Sequence, residues 1–348
     1  MKAVRIHTYG DNEVLSYEDA PRLSPVPQMC ASVHAERVSA VAGALTALVI
    51  VMPATAVAQA PDTPRTAWGA PDLGGIWDYS SLTPMARPPQ FKDQAVLTEE
   101  ESAAFLGQQV AFWENLDDDK TVPGNEVPSS VFQDAGTTVV ADRRSSLIID
   151  PPTGRRPPMV EGGATRAAAI RSSYGRQPFD SHHDFGLMDR CLGTIGFPIV
   201  PGPYNNNVQI FQTPDHVAIL AESMHFARII PLDGRPQSGL SQFGGDGRGH
   251  WDGDTLVVES SNFDGELTMI GTEPQRLIER FTRQGDTIQY ELTVDDPEMW
   301  ATTWTARVPI QKTVGPLFEY ACHEGNYGLE NMLHIARARD RAPIAESR

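Results

Sequence analysis

The chain has 348 residues and carries 45 acidic against 28 basic side chains, which gives a formal net charge of −17. A surface this acidic argues against binding to nucleic acids or anionic membranes, because both attract basic proteins. The length is enough for one large domain or two small ones.

The segment 29–58 has the layout of a secretory signal peptide. The run VSAVAGALTALVIVM at 38–52 is uncharged but shorter than a transmembrane helix. A basic residue precedes it, and the tripeptide AVA at 56–58 follows it as a small-x-small cleavage site. We therefore predict that the mature chain begins at Gln59, has no integral membrane segment, and is periplasmic or secreted.

Residues 1–28 come before this leader. Their sequence, which begins MKAVRIHTYGDNEVLSYEDA, resembles the opening strands of medium-chain quinone oxidoreductases and alcohol dehydrogenases. No dinucleotide fingerprint follows, because the GGDGRG at 244–249 does not stand between a strand and a helix as phosphate binding requires. We interpret residues 1–28 as an upstream extension, and an oxidoreductase is a distant alternative.

The sequence of residues 59–145 predicts an extended segment followed by one helix. The sequence GIW at 75–77 has the Gly-x-Trp spacing that lipocalin-like barrels show at their first strand. The sequence LTEEE at 97–101 is a capping box, with Thr98 as the N-cap and Glu101 at the third helical position. This pattern predicts a helix that ends near residue 116.

Residues 146–348 predict an antiparallel β domain that forms one unit with residues 75–145. A long irregular region at 155–204 is followed by short strands separated by tight turns. The clearest hairpin is 276–295, whose second strand alternates apolar and polar residues with a period of two. Some eight such strands indicate a mainly β fold, an antiparallel barrel or sandwich. We favour a closed, lipocalin-like barrel, because closure removes exposed strand edges.

Several stretches together resemble a family of exported bacterial proteins. They are GIWD at 75–78, YNNN at 204–207, HFARIIPLDGR at 225–235, GHWDGDTLVV at 249–258 and YACHEGNY at 320–327. The match covers most of the mature chain. The resemblance implies no activity, so the function has to be inferred from the residues themselves.

Two cysteines, Cys191 and Cys322, remain once the leader is removed. In an oxidising compartment two cysteines most simply form one disulfide. That bond would bring together two polar clusters from distant parts of the sequence. The clusters are the one before Cys191, with His182, His183, Asp189 and Arg190, and the one after Cys322, with His323, Glu324, Asn326 and Tyr327.

Each polar cluster also has a purely structural interpretation. The run Asn205, Asn206 and Asn207 is by default a turn, since asparagine bonds its own backbone and tolerates left-handed conformations. A histidine such as His225, beside an apolar strand, is more often a packing residue than a catalyst. The convergence at the disulfide could likewise be a polar plug at one end of the barrel. Neither an HExxH motif nor paired Cys-x-x-Cys spacing supports a metal site.

The sequence predicts an exported enzyme that acts on a small, partly apolar molecule by general acid–base catalysis without a cofactor, as a lyase, isomerase or hydrolase. A covalent nucleophile is not expected, because there is no Gly-x-Ser-x-Gly elbow. The candidate catalytic residues are His323, Glu324, Asp189, Arg190, His183 and His225. The candidate ligand contacts are Asn205, Asn206, Asn207, Arg228, His250, Trp251, Asn326 and Tyr327. The alternative is a periplasmic binding or carrier protein with the same cavity and no chemistry.

Overall fold

The computed structural model describes residues 2–6, 15–19, 63–115, 134–169, 179, 184–186, 189–192, 196–264, 274–324 and 326–341. The chain divides into two compact units, Met1–Val57 and Ala58–Arg348. In the first unit β1 (Lys2–Ile6) and β2 (Leu15–Asp19) form an antiparallel pair. The predicted signal peptide and its cleavage site lie outside the described residues.

The second unit is built on one ten-stranded sheet. Nine strands follow the order β7-β6-β5-β3-β12-β11-β10-β9-β8, and β4 pairs with β12 beside this path. All pairings in the sheet are antiparallel, which confirms the prediction of a mainly β, antiparallel domain. The strands are β3 (Gly75–Asp78), β4 (Ile148–Asp150), β5 (Asn207–Gln212), β6 (His216–Ala221), β7 (Ala227–Pro231), β8 (Asp246–Asp252), β9 (Thr255–Ser261), β10 (Arg276–Gln284), β11 (Thr287–Asp295) and β12 (Trp304–Thr313).

The alternation of apolar and polar residues sets the register of the hairpins. In β11 the residues Ile288, Tyr290, Leu292 and Val294 are fully buried, and the residues between them face outward. The turn before this strand needs a residue in the left-handed region, and Gly285 supplies it with a φ of 61°. A slip of one residue would place every apolar side chain of the strand on the wrong face.

The sheet is not closed into a barrel, so our preference for a closed lipocalin-like barrel is wrong. The strands β7 and β8 are the two ends of the sheet, and among the described residues no backbone hydrogen bond joins them. Side chains meet at this seam instead of a hydrogen-bonded ladder. A Cβ atom on Gly244 would lie 2.6 Å from Phe226, and one on Gly245 would lie 2.6 Å from Phe263. These aromatic rings pack closely against the backbone just before β8.

Buried side chains fill the inner face of the sheet. The largest are Trp77, Trp304, Tyr290 and Phe281, and each is fully buried. A small cavity lined by Phe197, among other residues, has a volume of about 10 Å³. That volume is near the lower limit for a single water molecule. The cavities of about 800, 580 and 340 Å³ lie on the outer face of the sheet, which is the face opposite this core.

The described residues of the second unit also form three α-helices, which are α1 (Glu99–Asn115), α2 (Gly163–Ala169) and α3 (Tyr327–Arg341). At the start of α1 the N–H of Glu101 donates to Thr98 Oγ1 at 3.2 Å, and the N–H of Thr98 donates to Glu101 Oε2 at 2.8 Å. This reciprocal pair is the capping box indicated by the sequence. Within the described part of the chain, no helix has the length and apolar character needed to cross a membrane.

Candidate functional site

Cys191 and Cys322 form a disulfide across a sequence separation of 131 residues, as predicted. Around it, Asn326 Nδ2 donates to the backbone oxygen of Asp189 at 2.7 Å. The carboxylate of Asp189 accepts a hydrogen bond from the N–H of Gly186 at 3.2 Å. The disulfide therefore brings the 320–327 stretch against the segment that contains Asp189.

Two of the side chains expected to be catalytic at this disulfide are open to solvent. His323 and Glu324 are both exposed, and among the described residues neither side chain has a hydrogen-bond partner. Arg190 is half-buried, and its Nε atom is buried without a partner. His183 lies outside the described residues. The geometry thus joins the two backbones, and within the described part of the chain no hydrogen bond links the side chains of His323, Glu324 and Arg190.

A cavity of about 580 Å³ lies on the outer face of the sheet. Part of its lining comes from residues 316–319, which precede Cys322 in the sequence. Its floor is a row of side chains that the strand register aligns, Ile76 of β3, Gln209 of β5 and Leu220 of β6. Its roof belongs to residues 316–320, called the strap below, of which residues 316–319 line the cavity. Two titratable side chains, Glu222 and His225, also line it.

Glu222 is a buried acid, with 3% of its surface exposed, directly after the end of β6. Its Oε2 accepts a hydrogen bond from Asn207 Nδ2 at 2.8 Å, and its Oε1 accepts one from the backbone N–H of Phe318 at 3.1 Å. Glu222 was not among the site residues predicted from the sequence. Its position at the end of the apolar strand HVAILA is the signal that could have identified it.

His225 lies in a short 3₁₀ turn between β6 and β7, with an unusual backbone conformation. Met224 and His225 have φ values of 56° and 50°, which non-glycine residues seldom adopt. Such strain persists only where the surrounding structure imposes it, and it is frequent at functional sites. The imidazole Nε2 accepts a hydrogen bond from the backbone N–H of Tyr320 at 3.2 Å. The ring proton of a neutral His225 must therefore be on Nδ1.

The strap continues into an aromatic pair. The rings of Tyr204 and Tyr320 are stacked, with centroids 6.2 Å apart. Burial raises the pKa of Tyr320, and the hydrogen bond with Tyr204 raises it further, so this phenol is neutral at physiological pH. The stacked pair and the bond to His225 together hold the end of the strap against the sheet.

The asparagine run that precedes β5 mostly makes structural contacts. Asn205 has a φ of 52°, and its backbone oxygen accepts a hydrogen bond from the hydroxyl of Tyr79 at 3.1 Å. Asn206 is buried, and its side chain bonds Gly202 and the backbone oxygen of Asp134. Asn207 is the member of the run that reaches the candidate site, through its bond to Glu222.

The remaining predicted ligand contacts lie elsewhere. Arg228 faces the core and is nearly buried, while His250 is exposed on β8 and Trp251 packs partly against the core. His250 lines a separate cavity of about 340 Å³ with Arg235, Arg248 and Arg276 among its walls. Tyr327 begins α3 and is 70% exposed. The structure does not bring these residues to the cavity beneath the strap.

Within the described residues, no group of three or more His, Cys, Asp or Glu side chains is arranged to hold a metal ion. No protein-family model matches the chain, and no curated protein matches its sequence. The arrangement beneath the strap therefore has to be interpreted from its own chemistry.

Proposed function

We propose that the protein is an exported enzyme that performs general acid–base catalysis, without a cofactor, in the cavity beneath the strap. Glu222 and His225 are its proton-transfer residues, and its substrate is a small, partly apolar molecule. The observation that carries this proposal is the presence of a buried carboxylate and a strained histidine on the wall of one cavity of about 580 Å³. Cavities of this size accommodate typical small-molecule ligands.

The walls of the cavity fit a ligand of mixed polarity. Ile76 and Leu220 on the floor, together with Leu317 and Phe318 in the roof, are apolar. Gln209 adds an amide between the two floor residues. Pockets that combine apolar walls with a few polar groups bury most of a ligand and fix its orientation through those groups.

The hydrogen bonds support complementary roles for the two titratable residues. Each carboxylate oxygen of Glu222 accepts one protein hydrogen bond and keeps a lone pair that could accept a proton from the substrate or from water. The Nδ1–H of neutral His225 is left to donate to the substrate, because its Nε2 accepts from Tyr320. Negative charge that develops on a substrate oxygen during proton removal by Glu222 would be stabilised by this N–H. The reaction classes that fit are lyase, isomerase and hydrolase.

His323 is the competing candidate for the acid–base role, with Glu324, Asp189 and Arg190 as its partners. His323 lies three residues after Tyr320, whose N–H binds His225. His225 and His323 are both exposed, but His323 makes no side-chain hydrogen bond among the described residues, whereas His225 accepts one from Tyr320. We therefore propose that His225 takes part in catalysis and that the Cys191–Cys322 disulfide holds the strap in place.

A binding or carrier protein is the second candidate function. Glu222 and His225 both accept hydrogen bonds from the strap, through the N–H groups of Phe318 and Tyr320. The same two contacts would serve a protein that only closes the strap over a ligand. In that case neither residue transfers a proton.

The test begins with mass spectrometry of small molecules that copurify with the full-length protein. Each molecule recovered is then incubated with fresh protein in D₂O, because general acid–base catalysis on a C–H bond exchanges solvent deuterium into the substrate or converts it into product. The Glu222→Gln and His225→Gln variants keep the size of the side chain and remove proton transfer. His323→Gln is the matched control.

The proposal predicts that both cavity variants reduce conversion by roughly 100- to 10,000-fold while ligand binding changes little. The control should convert the ligand at the normal rate. A ligand that binds without conversion or deuterium uptake would identify a carrier. A large loss of turnover in His323→Gln, with normal His225→Gln activity, would move the chemistry to the disulfide cluster.

A further inference from the structure

A second and larger cavity, of about 800 Å³, lies elsewhere on the outer face of the sheet. Its floor is formed by β10, β11 and β12, and its walls by residues 80–81 and 138–144. It shares no lining residue with the cavity beneath the strap. We call it the polar groove, because hydroxyl, amide and charged side chains form most of its lining.

The floor of the polar groove is ordered by the strand register. Gln289 of β11 lies at its centre, paired with Thr282 of β10 on one side and Pro309 of β12 on the other. One row away, Thr287 Oγ1 donates to Gln311 Oε1 at 2.9 Å. The register thus gives one half of the groove a surface of neutral amides and hydroxyls around a single proline ring.

The charged side chains at the other half of the groove neutralise one another. Arg307 Nε donates to Glu291 Oε1 at 2.7 Å. Arg144 forms an ion pair with Asp142, and its Nη2 donates to the backbone oxygen of Arg307 at 2.7 Å. Because each arginine is paired with a carboxylate of the same groove, the lining attracts neither anions nor cations by net charge.

Hydrogen-bonding capacity remains free in the groove. Among the described residues, the side chains of Thr138, Gln284 and Gln289 make no hydrogen bond, and all three line the groove. An amide offers two donors and an acceptor, and a hydroxyl offers one donor and an acceptor. A ligand that matches this set carries many groups that both donate and accept, and hydroxyl groups do so.

We propose that the polar groove binds a neutral, polyhydroxylated molecule of the carbohydrate class, one or two sugar units in size. The free amides and hydroxyl bind the sugar hydroxyls, and the ring of Pro309 contacts the apolar C–H face of the sugar. The proposal does not depend on catalysis at Glu222 and His225. A lipid would leave the polar floor without partners, and an anion would meet two arginines whose charges are already matched by Asp142 and Glu291.

The test is titration calorimetry of the full-length protein with glucose, N-acetylglucosamine and maltose. Glucuronate and glucosamine are the charged comparisons, and retention on immobilised amylose distinguishes a polysaccharide end from a free sugar. At least one neutral saccharide should bind, and bind at least five-fold more tightly than either charged sugar. Gln289→Ala should weaken this binding by five-fold or more at an unchanged melting temperature.

Gln275→Ala is the control variant, because Gln275 is an exposed glutamine just before β10 and outside the groove. It should bind the sugar as the parent protein does. Should Gln289→Ala fail to fold, Gln284→Ala at the exposed end of the hairpin replaces it. Absence of binding by all three neutral sugars, equal or tighter binding of glucuronate, or binding unaffected by the groove variants would each overturn the proposal.

Discussion

Arg228 and Glu279 form a bidentate ion pair inside the sheet, across the seam where the sheet stays open. Nη2 of the arginine on β7 lies 2.6 Å from Oε2 of the glutamate on β10, and Nη1 lies 3.1 Å from Oε1. Arg228 also donates to Ser260 on β9 at 3.1 Å, and the Tyr290 hydroxyl donates to Glu279 at 2.9 Å. Side chains therefore connect β7, at one end of the sheet, to β9 and β10, which lie near the other end.

Removing one partner of this pair should destabilise the fold strongly. Arg228→Met leaves the carboxylate of Glu279 buried without its counter-charge, and a loss of this kind costs about 3 to 5 kcal/mol in free energy of unfolding. The double variant Arg228→Met with Glu279→Leu removes both charges and should cost less than the sum of the two single changes. Urea unfolding of the four proteins measures this coupling. Strictly additive costs would show that the pair does not hold the seam.

A second prediction concerns the close approach of the strands at the seam. A Cβ atom on Gly249 of β8 would lie 2.6 Å from Leu232 Cδ2 and 2.9 Å from Ile230 Cγ2. Gly249→Ala should therefore lower the free energy of unfolding by about 1 to 3 kcal/mol, the usual cost of overpacking. Leu232→Ala in the same chain removes the nearer contact and should restore part of the loss. An unchanged urea midpoint for Gly249→Ala would contradict the proximity of the two ends of the sheet.

The strands and hairpins were predictable because their signals are local. The alternation in β11 and the glycine at its turn each act over a few residues, and the capping box at Thr98 does the same. The disulfide was predictable by counting, since two cysteines remain in the second unit. Closure of the sheet depends instead on how side chains distant in sequence fill a seam, and no short-range pattern encodes that.

The candidate site was only partly predictable for the same reason. His225 and Asn207 were selected from the sequence as polar residues beside strands. Glu222 was missed because its importance comes from burial and from a bond to the N–H of Phe318, which is 96 residues away. The helix α3 was also missed, since the polar residues that begin it resembled a binding loop. Contacts between distant segments determine both features.

The buried tyrosines predict a loss of stability at alkaline pH. Burial raises the pKa of Tyr79, as does the charge of Glu222, and burial together with the charge of Glu279 raises the pKa of Tyr290 well above 10.0. Above about pH 10 the unfolded chain loses these protons while the folded protein keeps them. Above that pH, the free energy of unfolding should fall by about 1.4 kcal/mol per pH unit for each tyrosine. At lower pH both states keep the protons, so these tyrosines do not make the stability depend on pH.

Urea unfolding at pH 9, 10 and 11 checks this slope. Tyr79→Phe should remove about a third of it, because the pKa of Tyr320 is raised as well and the phenylalanine has no proton to lose in either state. Tyr327→Phe is the control, since Tyr327 is 70% exposed. A slope that persists undiminished in Tyr79→Phe would contradict the assignment to these buried phenols.

The disulfide should matter both for stability and for the strap. It closes a loop of 131 residues, and the chain-entropy model assigns such a loop about 4 to 5 kcal/mol, often less in practice. Non-reducing peptide mapping should recover Cys191 and Cys322 in one linked pair. In the double variant with alanine at both positions, the amide protons of Phe318 and Tyr320 should exchange faster with solvent. These amides bond Glu222 and His225, and without the disulfide the strap that carries them is tethered at one end only. Core amides in β11 provide the internal comparison, and equal acceleration in β11 and the strap would indicate global destabilisation instead of a released strap.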